Sequence, residues 1–335
     1  MREALSTAAG DERQPSGGPP MSGGFDFDLL VLGDCNPDLV LRGPDLRPRF
    51  GQAERLVEEA RLVVGGSGAI LACGAARLGL RTALAGMVGD DLFGRFMLDA
   101  LRQRGVDVRG CVVRGGLRSG VTVVLSQPGD RAMLTDLGAI GALTCADVDL
   151  ALLRAARHVH VSAYFLQRAL APGLPGLFRQ VHAAGGTTSI DPNWDPTERW
   201  DGGLHALLEQ TDVLLPNGTE ARRLAPAAPD LESAVVALAA TGPLVVAKLG
   251  AEGAVACDSD GRLLHVPGLR VVSEDTTGAG DSFDAGFLAA WLWGWPLERA
   301  LALACACGAL STRATGGTAA QPTLAEATRL LDGPA

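Results

Sequence analysis

The hydrophobic pattern of the chain is most regular from residue 146 onward, where short apolar runs alternate with longer, helix-like runs. Short runs rich in Val, Leu and Ile are typical of strands that are buried on both faces. Their alternation with helices predicts a mainly parallel sheet that is covered by helices on both faces. The predicted helices are 146–156, 174–184, 202–209, 218–224 and 231–240, and the predicted strands are 158–162, 187–190, 213–215 and 244–248.

The N-terminal half has the same pattern up to residue 104. Its apolar runs are again short, and its helix-like runs are each followed directly by a glycine, where helices commonly end. The predicted strands are 27–32 and 82–85, and the predicted helices are 69–78 and 91–104. We therefore expect this half to contribute to the same sheet.

Residues 108–135 break the alternation. Three short β-type runs, at 108–113, 121–126 and 132–135, are separated by glycines and a Pro-Gly pair, which is the pattern of hairpins. Two further strand-like runs lie at 38–42 and 61–64. Together these runs predict a small sheet that is separate from the main one.

The C-terminal part consists of a strand-like run at 269–272, a loop rich in glycine, and helices predicted at 279–293, 297–312 and 323–331. With 335 residues, 47% of them hydrophobic and 20% charged, the chain can form one large α/β domain. We expect that domain to span residues 25–335. Residues 1–24, rich in Gly, Pro, Ser and charge, are predicted to be a disordered extension, and Met21 is a second candidate for the start.

The net charge of −9 argues against nucleic acid and anionic membrane surfaces as partners. No apolar run approaches the ~20 residues that span a bilayer, and the N-terminus lacks the apolar core of a signal peptide. The seven cysteines form no CxxC pair and mostly lie in apolar runs, as reduced thiols of a cytoplasmic protein do.

The glycine-rich loop over residues 275–287 carries the clearest chemistry. Gly278 and Gly280 let the backbone approach a ligand closely, and a helix that begins near Ala279 would direct its first N–H groups at an anion. Asp281 lies beside this anion hole, where a carboxylate is out of place for simple anion binding but suited to proton abstraction. The alternative is an acid that only complements the helix dipole.

The sequence of this loop, Asp-Thr-Thr-Gly-Ala-Gly-Asp-Ser-Phe, resembles the second signature of the ribokinase (PfkB) family of carbohydrate kinases. Several weaker segments match that family in the expected order over residues 27–325. They are the segments at 33–38, 65–78, 86–94, 160–164, 191–196, 217–220 and 248–253. The resemblance implies a ribokinase-like fold, in which the small sheet (about 38–42, 61–64 and 108–135) is a lid over the sugar and often a dimer interface.

For the acceptor, the resemblance implies contacts from residues after the first strand and at the start of the first helix. The expected sugar-binding residues are Asp34, Asn36, Asp38, Gly65, Gly66 and Ser67. The family commonly has Asn where this chain has Ile70, which removes one hydroxyl contact and favours an acceptor with a different face there. Asp191-Pro-Asn-Trp194 either reaches the same pocket or is a simple turn at the end of a strand, and His158 and His160 are expected in the core.

For ATP, the resemblance implies an anion hole at Gly278, Ala279 and Gly280 with Asp281 as the base. The expected nucleotide-binding residues are Asn217, Lys248, Gly250, Gly253, Cys307 and Gly308. Asn217 and Glu220 would organise Mg²⁺ through its waters, although the same two residues also fit a capping box at the start of a helix. Asp275 and Thr277, with the 312–317 loop, are the expected K⁺ site.

These observations predict an ATP-dependent sugar kinase, most similar to the fructokinase and 2-keto-3-deoxygluconate kinase type. The expected partners are a small sugar and ATP with Mg²⁺, and a second copy of the chain through the lid. A nucleoside kinase of the same family is the alternative substrate class. A catalytically inactive homologue that acts as a sugar sensor or scaffold is the alternative of a different kind, which the intact Asp281 and loop glycines disfavour.

Overall fold

The computed structural model describes residues 24–127 and 130–332, so nearly all of the predicted N-terminal extension lies outside the described residues. The described chain contains the following strands in order: β1 (Phe27–Leu32), β2 (Pro37–Arg42), β3 (Glu59–Val64), β4 (Thr82–Ala85), β5 (Met87–Gly89), β6 (Val112–Arg114), β7 (Val121–Gln127), β8 (Asp130–Asp136), β9 (Ala156–Val161), β10 (Thr187–Ile190), β11 (Val213–Leu214), β12 (Leu244–Lys248), β13 (Gly253–Cys257) and β14 (Leu263–Pro267). Its helices are α1 (Ser67–Leu78), α2 (Leu92–Gln103), α3 (Leu150–Arg154), α4 (Leu174–Ala183), α5 (Leu204–Leu208), α6 (Gly218–Leu224), α7 (Leu231–Ala239), α8 (Ala279–Leu292), α9 (Leu297–Ser311) and α10 (Leu324–Asp332).

Eight of the strands form the large sheet, in the order β14-β13-β12-β11-β10-β9-β1-β4. The six strands from β12 to β4 are parallel, and β13 and β14 are antiparallel additions at one edge. Helices cover both faces: α1, α2, α8, α9 and α10 pack on one, and α3 to α7 on the other. The predicted mainly parallel, doubly wound sheet is confirmed.

Strand β1 is the point at which the chain reverses direction across the large sheet. From β1 the chain first adds β4 on one side and later adds β9 on the other. In open α/β sheets a ligand crevice forms at such a switch point, outside the carboxyl ends of the strands. The loops after β1, β9, β10, β11 and β12 are therefore the ones that should build a site.

The small sheet has four strands in the order β3-β2-β7-β8. Residues 108–120, which the sequence predicted as part of it, lie outside it: β6 instead pairs with β5 in a separate two-stranded sheet. The run at 108–113 contains a turn before the strand, so its apolar residues pack below the large sheet, where Val108 is buried. Residues 108–120 are therefore not part of the small sheet that was predicted as the lid.

Three other elements differ from the sequence prediction. The predicted strand at 269–272 is an unpaired coil, because Leu269 and Val271 satisfy its apolar pattern by packing against the core. Strands β13 and β14 were missed, since Gly and Ala dominate the first. The predicted helix 146–156 is reduced to α3, because a separate short turn, closed by Asp147 bonding back to Thr144, precedes it and Asp149 caps the start of α3.

None of the helices in the described residues is long and apolar enough to cross a membrane. All seven cysteines are described, and none of them is in a disulfide.

Candidate active site

A cavity of about 690 Å³ opens at the carboxyl ends of the parallel strands, beneath the small sheet. Loops after five strands of the large sheet, three strands of the small sheet and the start of α8 contribute to its wall. The predicted site residues among the lining are Asp34, Asn36, Asp38, Gly66, Ser67, Asn217, Glu220, Lys248, Gly250, Thr277, Gly278, Ala279, Gly280 and Asp281. Residues that are up to 247 positions apart therefore meet in one cavity.

The glycine-rich loop ends in the N-terminus of α8, with Gly278 as the N-cap at φ 71°. A Cβ at Gly278 would lie 2.7 Å from Cα of Gly317, so only glycine fits this turn. Among the described residues, no acceptor bonds to the N–H groups of Gly280 and Asp281. These two donors and the positive end of α8 face the cavity and can bind an anion.

Asp281 lies in the first turn of α8 and faces the same cavity. Burial is the main cause that raises its pKa, to about 8, and the nearby charges of Asp191 and Asp34 add to the effect. The ammonium group of Lys248 opposes it. A carboxyl group with this pKa can both accept and release a proton near neutral pH.

Lys248 stands at the end of β12 and lines the cavity, and its ammonium group bonds to three oxygens of the protein itself. Nζ lies 3.1 Å from Oδ2 of Asp191, 2.9 Å from Oδ2 of Asp284 and 2.7 Å from the carbonyl oxygen of Leu215. Although burial alone would lower the pKa of Lys248, these carboxylates raise it. The side chain thus ties the ends of β10, β11 and β12 to α8, one turn below Asp281.

The predicted acceptor residues surround the end of β1. Asp34 accepts hydrogen bonds from the N–H groups of Ser67 (2.9 Å) and Gly68 (2.7 Å), so both of its oxygens hold the start of α1. Asn36 donates from Nδ2 to Oγ1 of Thr122 on the small sheet, at 3.3 Å. The carboxylate of Asp38 packs on Gly65, where a Cβ would lie 2.0 Å from its Oδ1.

Asp38 differs from the other carboxylates of the cavity. Only 6% of its surface is exposed, yet it accepts no hydrogen bond from the described residues. Burial, together with Asp34 and Asp275, raises its pKa to about 7. A buried carboxyl group without a donor is costly unless a ligand supplies one.

Asn217 and Glu220 form the capping box that the sequence offered as the alternative to a metal pair. Oδ1 of Asn217 accepts from the N–H groups of Thr219 and Glu220, and the backbone N–H of Asn217 donates to Oε2 of Glu220 at 2.7 Å. Both residues still line the cavity, and burial with the charge of Asp191 raises the pKa of Glu220 to about 7. A cation beside Glu220 would stabilise the charged carboxylate and so lower this pKa.

Asp275 connects the glycine-rich loop to the 312–317 loop. Its Oδ1 accepts from the N–H (2.9 Å) and the hydroxyl (2.7 Å) of Thr277, and its Oδ2 accepts from the N–H of Gly316 at 2.9 Å. Although burial raises its pKa, these bonds hold the pKa of Asp275 below its ordinary value. Within the described residues no three His, Cys, Asp or Glu side chains cluster as a metal site would require.

Five predicted site residues lie outside the wall of the cavity, one of them Asp275, which lies directly before it. Cys307 is buried against Gly286, and Gly308 packs on Ala279 and Phe283 at the start of α8. Gly253 begins β13 and packs against Val266, and Gly65 lies behind Asp38. His158 and His160 are fully buried and bond to Ser189, as expected for core residues.

The sequence reasoning missed several polar or aromatic residues of the cavity. Arg131, on β8, donates to the hydroxyls of Thr276 (3.0 Å) and Thr277 (3.2 Å), and Arg168 and Trp194 lie in loops after β9 and β10. For the segment that ends at Trp194 the sequence left two alternatives open, the acceptor pocket or a simple turn, and the structure places Trp194 in the cavity wall. No signal in the sequence marks the two arginines, which lie among many others in the chain.

The chain is similar to known proteins over most of its length. The model of the pfkB family carbohydrate kinases matches residues 26–324. The ATP-dependent ribose-1-phosphate kinase of Halopiger xanaduensis is 34% identical over 293 residues, covering 87% of this chain and 94% of the relative. The fructokinase of Klebsiella pneumoniae is 33% identical over 310 residues, covering 88% and 96%.

Solved structures of carbohydrate kinases are also similar to this chain. An E. coli protein designated ribokinase II, in its apo form, superposes with a TM-score of 0.81 at 27% identity, covering 91% of this chain and 99% of that chain. Its complex with ATP and Mg²⁺ superposes with a TM-score of 0.79. The predicted ribokinase-like fold and the predicted class, an ATP-dependent carbohydrate kinase, are confirmed. The chain belongs to the pfkB family of carbohydrate kinases.

Proposed function

We propose that the protein transfers the γ-phosphoryl group of ATP to a hydroxyl group of a small sugar, with Asp281 as the general base. One observation supports this most directly: a single turn of α8 presents two unbonded N–H groups and the Asp281 carboxyl group to the same cavity. The donors suit the charge on the transferring phosphoryl group, and the carboxylate suits the hydroxyl proton.

In the proposed reaction the sugar oxygen attacks the γ-phosphorus and the bond to the leaving oxygen of ADP breaks. The proton of the hydroxyl passes to the carboxylate of Asp281. The N–H groups of Gly280 and Asp281 stabilise the negative charge that the phosphoryl oxygens carry during transfer. Lys248 and Asp284 fix α8 from below, which keeps the base and the donors in one geometry.

Mg²⁺ would neutralise part of the charge on the ATP phosphates and orient them. Asn217 and Glu220 are the residues that would hold its waters, because Glu220 lines the cavity with a carboxylate that burial disfavours. The lack of a dense ligand cluster in the described residues fits a metal held mainly by phosphates and water.

The small sheet would act as the lid. Arg42 donates to Glu274 and Thr315, both at 2.9 Å, and Arg131 donates to Thr276 and Thr277. Two strands of this sheet therefore bond to the beginning of the glycine-rich loop and to the 312–317 loop. The lid also contributes Thr122 and Thr135 to the cavity wall. A closed lid would exclude water, which otherwise competes as the phosphoryl acceptor.

Nucleosides are the second candidate class of acceptor. Trp194 lines the cavity with 43% of its surface exposed and offers a flat ring on which a base could stack. Its ring packs edge-on against Trp200 at 5.1 Å, which holds it in place. Sugars remain the first candidate, because Asp38 and Asn36 suit hydroxyl groups at the end of β1.

The test is ADP release with Mg-ATP and a panel of acceptors: fructose, ribose, ribose 1-phosphate, 2-keto-3-deoxygluconate and adenosine. We expect turnover of at least one sugar well above the ATPase rate without acceptor. Turnover of adenosine alone would favour the nucleoside kinase. Sugar binding in calorimetry without any turnover would favour a sensor and contradict the proposal.

We also propose K⁺ activation, because Asp275 joins the glycine-rich loop to the 312–317 loop directly before the anion hole. Replacing Na⁺ by K⁺ at constant ionic strength should raise kcat. An equal rate in both salts would exclude a K⁺ requirement.

A homodimer through the lid is the proposed assembly. On its outer face, the paired residues Leu62, Leu39, Val123 and Leu134 form an apolar row across all four strands. Leu134 is 62% exposed. Burial of this apolar row against a second copy of the chain would favour association. Light scattering after size-exclusion chromatography should show a dimer, which Leu134→Glu should convert to a monomer.

A further inference from the structure

Arg168 is the basic residue of the cavity wall whose guanidinium group is not paired with another described residue. It lies in the loop after β9, lines the cavity and is exposed. Among the described residues its side chain has neither a hydrogen-bond nor an ion-pair partner. The other two basic residues of the wall are engaged: Lys248 with Asp191 and Asp284, and Arg131 with the glycine-rich loop.

The backbone around Arg168 is held in place. Gln167 and Leu170 on either side are fully buried, and the N–H groups of Leu170 and Ala171 bond to the carbonyl oxygen of Gln167 at 3.1 and 2.9 Å. The N–H of Ala169 bonds to Gly141 at 3.3 Å. The position of Arg168 at the cavity is therefore set by the fold, and only its side chain is free to meet a ligand.

The sheet order assigns Arg168 to the acceptor end. Strand β9 lies between β1, whose following loop carries the proposed sugar residues Asp34 and Asn36, and β10, whose following loop carries Asn193. Strands β11 and β12, which end at the predicted nucleotide residues, are two and three positions away. At a strand spacing of about 4.8 Å, the end of β9 lies roughly 10–14 Å from the ends of β11 and β12.

The charges of the acceptor end explain what Arg168 is suited to bind. The wall there already contains Asp34 and Asp38, which suit the hydroxyl groups of a neutral sugar. A neutral sugar gives a guanidinium group no charged partner. The planar fork of a guanidinium matches the two oxygens of a carboxylate or phosphate, and such a pair is among the strong hydrogen bonds.

We propose that the acceptor is an anionic sugar, whose phosphoryl or carboxylate group binds to Arg168 while the reacting hydroxyl lies at the opposite end of the sugar, beside Asp281. This inference rests on the proposed kinase function and adds the class of acceptor. It makes Arg168 a specificity-determining residue that contacts substrate without taking part in the phosphoryl transfer.

The test compares matched anionic and neutral acceptors in the ADP-release assay with Mg-ATP. The pairs are ribose 1-phosphate against methyl riboside, and 2-keto-3-deoxygluconate against its methyl ester, so that the phosphoryl and carboxylate sources are distinguished. For one of the pairs we expect kcat/KM to be at least 10-fold higher for the anionic member. Arg168→Gln should lower that value about 10- to 100-fold, mainly through KM, and leave the KM of ATP unchanged.

The control is Arg179→Gln, which removes one charge from the exposed surface of α4 and should change neither value. Turnover that prefers the neutral member of both pairs would overturn the inference and leave the kinase function intact. An equal loss for neutral and anionic acceptors in Arg168→Gln would overturn it as well. No ADP release with any sugar would contradict the proposed function itself.

Discussion

The two ends of the cavity are built in different ways. At the end proposed to bind the transferring phosphoryl group, called here the phosphoryl end, the polar groups come from four consecutive residues, 278–281, and are largely backbone N–H groups at the start of α8. At the acceptor end, the polar groups are side chains that follow β1, β9 and β10 or come from the small sheet. The binding groups of the first end are set by the backbone conformation, and those of the second end are set by the identity of the side chains.

This difference separates reaction from specificity. A backbone donor cannot be exchanged by substitution, so the phosphoryl end tolerates little change. Side chains such as Arg168 and Trp194 can be replaced without moving the backbone, so the acceptor end can change its substrate while the reaction is kept. Substitutions at the first end should therefore cost turnover or stability, and those at the second should change the choice of acceptor.

Lys248→Met should have the largest effect, since it removes the support of the phosphoryl end. Lys248 is the only lysine of the chain, and its side chain is buried between Asp191 and Asp284. Leaving these carboxylates without their cation should lower the free energy of unfolding by about 3–5 kcal/mol, measured by urea denaturation. Arg102→Met, which removes the exposed ion pair with Asp99, should cost at most about 1 kcal/mol. Equal stabilities of the two variants would contradict this role.

Gly278→Ala should lower kcat by about 10²–10³-fold, the cost of a displaced anion-hole donor. The new Cβ would lie 2.7 Å from Gly317 at a φ of 71°, so the turn before α8 must move. Gly185→Ala is the matched control, because Gly185 has a φ of 81° and a Cβ added there would have no neighbour within 4 Å. It should lose stability but not kcat, and a similar kcat loss in both variants would assign the effect to backbone strain alone.

Arg131→Gln should have a smaller effect, because it weakens the contact between the small sheet and the glycine-rich loop without altering the anion hole. We expect kcat/KM to fall about 10-fold, as for the loss of hydrogen bonds from a charged donor. Arg118→Gln, which removes an exposed ion pair with Asp136 on the same sheet, serves as the control. An unchanged kcat/KM in Arg131→Gln would argue against this contact in catalysis.

The pH dependence should separate turnover from stability. Because the pKa of Asp281 is raised to about 8, kcat/KM should rise severalfold between pH 6.5 and 8.5 as the base loses its proton. A raised pKa in the folded state stabilises the protein below the unfolded value and loses that contribution as pH rises through 8. The free energy of unfolding of the apo protein should therefore fall over the same range, and Asp281→Asn should flatten that fall. Parallel trends of rate and stability would contradict the assignment.

The sequence predicted the phosphoryl end because its residues are contiguous. The spacing of Gly278, Gly280 and Asp281 is visible in one line of sequence, and helix starts obey local rules. The parallel sheet was also predictable, since each strand–helix unit has its own hydrophobic pattern. The small sheet was only partly predictable, because the run at 108–113 is β-like but pairs with β5 rather than β7.

The direction of side chains was the main information that the sequence lacked. The sequence named Lys248 only as a nucleotide-binding residue and did not indicate its ion pairs with Asp191 and Asp284. They form because Lys248 shares the face of Val246, which packs toward α8. Arg168 could not be distinguished from surface arginines, because its place depends on β9 lying next to β1. Which strands lie next to each other is set by the topology of the sheet, and a local sequence pattern does not indicate that topology.

The most direct test of the central claim is a comparison of Asp281→Asn with the wild-type protein on the best sugar of the panel. We expect kcat to fall by about 10²–10⁴-fold, while sugar and ATP affinities measured by calorimetry stay within a few-fold and the circular dichroism spectrum is unchanged. A variant that binds both substrates and retains more than about a tenth of the wild-type kcat would contradict Asp281 as the base.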